Sequence, residues 1–167
     1  MILARAEAVR NSKNVMEDRE IIMFKVVLFA IILDDEKRVL LCHRRDYDLW
    51  NLPGGVLEQG EAPWDGVVRE TKEETGLDVT VDRLAGLYSK PDQNEIVLSF
   101  LCKVVDGNIT LTDEADQIVY FGIDNIPSNT SPKQVERIRD ALKDDSCIMR
   151  VQRGPSSIEL LKKGMLN

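Results

Sequence analysis

Gly55 to Leu77 reads GVLEQGEAPWDGVVRETKEETGL, and its second half predicts a helix from Trp64 to Thr75. Glu61 and Asp65 sit near the start, where the positive end of the helix dipole favours acids. Gly76 is a natural C′ glycine that ends it. Glu70, Glu73 and Glu74 are three and four residues apart, which places all three on one helical face. Val67, Val68, Thr71 and Thr75 form a separate, more apolar strip able to pack on a sheet. Three carboxylates on one turn repel each other. Without a counter-ion this raises at least one pKa and weakens the helix. Hard oxygen donors gathered in this way suit Mg²⁺ or Mn²⁺. No imidazole or thiolate lies nearby to favour zinc. A solvated acidic face is the competing reading of an isolated E-x-x-E-E.

Strand signals flank this helix on both sides. Met23 to Leu33 is rich in β-branched and aromatic residues, Asp34 to Lys37 makes a turn, and Val39 to His43 is a second strand, so the two are expected to form a hairpin. Leu52-Pro53-Gly54-Gly55 breaks regular structure. The two glycines let backbone approach a metal or phosphate where a side chain would obstruct. Val79–Ser89 and Ile96–Val105 are further strands. Asp106-Gly107-Asn108 predicts a turn with Ile109 to Leu111 returning. Ile118–Ile123 is another strand. Ser131-Pro132 starts a second helix, to about Leu142, with the serine as cap and Val135, Ile138, Ala141 and Leu142 on one face. Ile158 to Lys163 fits a strand or a helical turn. Strands, helix, strands, helix in this order predict a mixed, largely antiparallel sheet sandwiched between helices, of α/β or α+β class.

The stretch resembles the Nudix box, G-x5-E-x7-R-E-U-x-E-E-x-G-U, where U is bulky and apolar. Gly55, Glu61, Arg69, Glu70, Glu73, Glu74 and Gly76 fill the seven fixed positions, and Leu77 the last apolar one. Thr71 stands where an aliphatic residue is usual. Seven fixed matches arise by chance on the order of 10⁻⁸ per window, so this pattern outweighs the solvated-face reading. Leu40-Leu41, Arg44 and Trp50-Asn51-Leu52-Pro53-Gly54-Gly55 look like the family's approach to its box. Asp113-Glu114 through Asp124-Asn125-Ile126-Pro127 look like its later strand and turn.

The resemblance implies an α/β/α sandwich over residues 21–143, with an arm or short helix over 1–20 before it and an extension over 144–167 after it. It implies a pyrophosphohydrolase in which divalent metal on the box helix helps water attack a diphosphate. By position, Glu70 and Glu74 are the leading ligands. Glu73 is a ligand or base-side partner, and the Gly55 carbonyl completes the coordination. Glu61 and Arg69 hold the loop–helix geometry. Glu114 is a second-rank candidate for metal or base, against an exposed loop acid. Arg44 and Arg45 are candidates for substrate phosphate, against surface charge. Tyr47, Trp50 and Phe121 are candidates for stacking on a base, against core or rim packing. His43 is expected to have no catalytic role. Pro91, fifteen residues after Gly76, resembles members that hydrolyse ADP-ribose or other nucleotide sugars, although Ser89 to Asp92 is good turn chemistry in its own right. Clearing nucleoside triphosphates is the enzymatic alternative, and nucleotide sensing without hydrolysis is the alternative outside enzymes.

The rest of the chain narrows these options. A net charge of −7 argues against a nucleic-acid partner, which favours a basic stripe. No apolar run approaches a membrane span, and Met1 to Arg10 lacks the apolar core of a secretory signal, so a cytoplasmic location is the default. Cys42, Cys102 and Cys147 form no C-x-x-C pair, and Cys42 and Cys102 lie in apolar runs, which predicts buried thiols. Family members are often dimers, which leaves a homodimer open.

Overall fold

The computed structural model describes residues 22–143 and 146–166, so the arm or helix expected over 1–20 lies outside the described residues. Among the described residues, seven strands and three α-helices follow one another. They are β1 (Lys25–Ile32), β2 (Val39–Arg44), β3 (Trp50–Asn51), α1 (Pro63–Thr75), β4 (Leu77–Lys90), β5 (Glu95–Gly107), β6 (Ala115–Phe121), α2 (Pro132–Ala141), β7 (Ile148–Val151) and α3 (Ser157–Lys162). A 3₁₀ turn, Pro91–Gln93, joins β4 to β5, so Pro91 does serve as a turn residue.

The strands form two sheets where one was expected: a mixed sheet in the order β1-β5-β4-β7 and an antiparallel sheet β3-β2-β6. The expected β1–β2 hairpin is not formed. β1 runs parallel to β5, from Lys25 opposite Glu95 to Ile32 opposite Cys102, while β2 pairs with β3 and β6. A single bridge, Leu33 to Val39, links the two sequence neighbours. The expected turn is present: the Asp34 carboxylate accepts the Glu36 and Arg38 N–H groups at 3.0 and 2.8 Å. The strand pairing differs, because both strands are apolar on both faces and alternation therefore gives no register. Leu28, Ala30, Ile32, Leu40 and Cys42 pack in one core with Val67 of α1. Ile31, Val39 and Leu41 pack in another with Ile138 and Ala141 of α2. Helices thus cover opposite faces of the same strands, which is the expected α/β/α layering.

The expected return strand after Gly107 is also absent. Residues 109–111 are not strand, and Thr110 N–H instead bonds to the Thr75 carbonyl at 2.9 Å, tying this segment to the end of α1. Gly76 ends that helix in the left-handed conformation, as read from sequence. Ser131 occupies the N-cap position of α2 without a side-chain capping bond; its hydroxyl accepts from Ser157 Oγ at 2.6 Å. The tail resolves as helix α3, opened by a capping box between Ser156 and Glu159.

Two features position the site. Residues 53–57 run antiparallel along β1, with Leu28 N–H on Gly55 O at 2.8 Å and Ala30 N–H on Pro53 O at 2.9 Å. This covers the free edge of β1 and fixes the loop that enters α1. The residues after 143 add β7 beside β4, so they complete the sheet. Arg150 on β7 grips Asp140 of α2 through two bonds of 2.6 and 2.8 Å.

Candidate active site

The loop Pro53-Gly54-Gly55 is pressed between β1 and the acidic face of α1. Gly54 has φ +147°, and a Cβ there would collide with the Leu28 carbonyl. A Cβ on Gly55 would collide with the Glu70 carboxylate. Glycine is needed at both positions because strand, loop and helix meet with no room for a side chain.

Arg69 organises the start of the acidic face. Its Nε and Nη2 donate to the two Glu61 oxygens at 2.8 and 3.0 Å, a bidentate clamp across loop and helix. Its Nη1 donates to Glu70 Oε1 at 2.9 Å and to Glu73 Oε2 at 3.2 Å. Arg69 holds the Glu61 carboxyl below its ordinary range. Burial lifts Glu70 above its own, against the pull of Arg69. Glu73 lies at the rim, 60% exposed.

Glu74 lies deeper, in the wall of a cleft of about 650 Å³, and its Oε2 accepts the Gly54 N–H at 3.0 Å. Burial pushes its carboxyl up to about 8, the Gly54 bond opposes this, and the charges of Glu114 and Glu70 add to it. A carboxylate so placed is costly to ionise alone. Among the described residues no three acidic, histidine or cysteine side chains converge on one point as they stand, since Glu70 and Glu73 are turned to Arg69. The donor chemistry still fits a hard divalent cation. It is all oxygen, its negative charge exceeds what Arg69 offsets, and one lone pair of the Gly55 carbonyl remains beyond its bond to Leu28.

Residues 23–143 match the family described as the NUDIX domain. The chain belongs to the Nudix family. It is 32% identical over 130 residues to an ADP-ribose pyrophosphatase of Methanocaldococcus jannaschii, covering 71% of this chain and 77% of the relative. It is 28% identical over 147 residues to a putative 8-oxo-dGTP diphosphatase of Bacillus subtilis, covering 84% and 97%. The crystal structure of an ADP-ribose pyrophosphatase from Streptococcus suis superposes with a TM-score of 0.65 at 26% identity, covering 78% of this chain and all of the other. The chain is therefore a Nudix hydrolase, acting on pyrophosphate bonds.

The other sequence candidates divide between cleft and core in this Nudix hydrolase. Arg44, Arg45, Asp113 and Glu114 line the same cleft as Glu74. Arg44 is held by Asp46 through bonds of 2.7 and 2.6 Å, and Arg45 Nε donates to the Thr112 carbonyl at 3.1 Å. Trp50 corrects its expectation: it is 7% exposed and its ring meets Phe121 edge-on at 4.8 Å, leaving no face for a base. Tyr47 lies outside the cleft lining, with the Arg44 guanidinium 5.7 Å from its ring centre. His43 bridges Asp116 and Asp48 at 2.7 and 2.9 Å. Cys42 and Cys102 are buried as expected, and Cys147 is exposed. No helix among the described residues is long and apolar enough to cross a membrane.

Sequence alone did not point to the rest of the cleft lining, which includes Lys25, Lys90, Lys133, Gln134 and Arg137, with Ser156 to Ile158 of the tail. A signal existed in α2. Gln134 and Arg137 stand four residues before Ile138 and Ala141, so the packing face itself carries polar groups.

Proposed function

We propose that this Nudix hydrolase uses Mg²⁺, or Mn²⁺, to cleave the diphosphate of a nucleoside diphosphate joined to another group, with ADP-ribose or another nucleotide sugar as the first substrate class. The observation that carries this reading is Glu74, a half-buried carboxylate in the wall of a cleft of nucleotide size, bonded to Gly54 and crowded by the charges of Glu70 and Glu114. The names of the archaeal and streptococcal relatives support the substrate class. Glu70 and Glu74 are the leading metal ligands, with the Gly55 carbonyl, Glu73 and Glu114 as further donors. The bound cation would neutralise diphosphate oxygens and acidify the attacking water. Arg69 and Glu61 hold the box loop against α1. Glu73 and Glu114, exposed at the rim, are available to take the proton that water releases. Arg44 and Arg45 stand on the cleft wall as phosphate contacts.

A second reading, a nucleoside triphosphate pyrophosphatase, is favoured by the name of the Bacillus subtilis relative and by the cationic residues Lys25, Lys90, Lys133 and Arg137 in the cleft lining. A Mg²⁺-dependent screen separates the two. It would measure product release from nucleotide sugars, dinucleoside polyphosphates and nucleoside triphosphates. Glu74→Gln and Glu70→Gln are each expected to lower kcat by about 100-fold or more while remaining folded with a cooperative unfolding transition, as loss of an interaction worth ~3 kcal/mol at the reacting centre would. Near wild-type turnover in Glu74→Gln would overturn the ligand assignment. Binding without release across the panel would replace hydrolysis with sensing.

A further inference from the structure

The cleft lining carries a second set of charged side chains that the proposed reaction leaves unused. In it Lys133 and Arg137 stand one turn apart on α2. Arg137 is 2% exposed. Its Nε and Nη2 donate to Gln152 Oε1 at 3.1 and 2.7 Å, and its guanidinium lies 5.2 and 5.3 Å from the ring centres of Phe29 and Tyr88. Among the described residues it forms no ion pair. The acids around it are already engaged. Glu95 pairs with Lys90 and Asp92 with Arg153 at 2.8 Å, Asp140 is taken by Arg150, and Glu136 accepts from Gln152 Nε2 at 2.7 Å. Among the described residues the Lys133 ammonium donates only to the Gly154 carbonyl, at 2.9 Å. Lys25, exposed at the start of β1, adds a further positive charge to the same lining.

A guanidinium shielded from water without a carboxylate is costly, because neutral amide and ring contacts replace only part of its hydration. Burial, with Lys90 and Arg137 nearby, pushes Lys133 below the usual lysine range, and burial brings Arg137 down to about 10. Like charges held together beside an open cleft are relieved by an anion entering it, and both residue types bind phosphoryl oxygens well.

We propose that Lys133 and Arg137 form a phosphate subsite in the cleft wall, for a phosphoryl group beyond the diphosphate that is cleaved. This rests on the cleft being the substrate cleft. Within the proposed class it favours nucleoside diphosphate derivatives, or longer phosphate chains, that carry a further phosphate, a group ADP-ribose itself lacks.

Binding of inorganic tripolyphosphate, measured by calorimetry in EDTA at low salt, tests the subsite without turnover. The wild-type protein binds. Lys133→Ala weakens binding at least fivefold, Lys133→Arg restores it, and Lys103→Ala, which removes a partner of Asp82 outside the cleft, leaves it unchanged. Arg137→Gln gives a loss at least as large; should it fail to fold, the Lys133 pair decides. No binding by the wild type, a loss below fivefold in Lys133→Ala, or a loss that Lys133→Arg does not restore overturns the proposal. Tripolyphosphate binding that survives a negative hydrolysis screen would sink the catalytic reading alone, and the reverse pattern would sink the subsite alone.

Discussion

At Thr71 the box departs from its usual aliphatic residue, and the departure has a local solution. The side chain is fully buried, and its hydroxyl donates to the Val67 carbonyl at 2.7 Å, one helical turn back. That carbonyl lies within the α1 hydrogen-bond ladder, so it keeps a partner when the hydroxyl is gone. Thr71→Val would remove a polar group from the core and keep the branched shape. It is expected to raise stability by up to about 1 kcal/mol, a Tm gain of about 2–4 °C. A lower Tm in thermal unfolding would show that the hydroxyl contributes more than its local bond. Gly54 and Gly55 offer no such latitude, since added Cβ atoms meet the Leu28 carbonyl and the Glu70 carboxylate.

At the scale of the element, α1 combines a packing face with a charged face that opposes its own folding. Arg69 offsets Glu61, Glu70 and Glu73, but Glu74 lies beyond its reach and is raised by burial to about 8. A carboxyl whose folded pKa exceeds its unfolded one gives stability that is full below the ordinary carboxyl range and lost as pH rises through the folded value. In EDTA the Tm is therefore expected to fall between about pH 5 and pH 8.5, and Glu74→Gln to flatten that slope. Glu61, whose carboxyl is lowered by Arg69, acts in the opposite sense at lower pH, outside this window. Added Mg²⁺ should recover Tm mostly at the alkaline end, where the ionised carboxylate is available to pair with it. An unchanged slope in Glu74→Gln would remove Glu74 as the cause.

Over the whole molecule, the segment beyond the box domain closes both the sheet and the cleft. β7 pairs with Gly86 to Ser89 of β4, and Arg150 bonds the buried Asp140 carboxylate, which also accepts from Tyr88 at 3.3 Å. Arg150→Ala would leave that carboxylate with weaker partners and loosen β7 from α2. A Tm fall of roughly 5 °C or more is expected, and an unchanged Tm would show that β7 docks by backbone pairing alone. The sequence alone determined the acidic helix, its ends, its double-glycine approach and the layering of helices on strands, because each follows from residue spacing within a few turns or from local turn chemistry. Tertiary structure decided which strands pair, since β1 and β2 are apolar on both faces and carry no register of their own. It also decided that Trp50 serves the core, and that Lys25, Lys90, Lys133 and Arg137 line one cleft. Those four come from two strands and one helix far apart in the chain, and only the folded path sets a charge beside another that lies dozens of residues away.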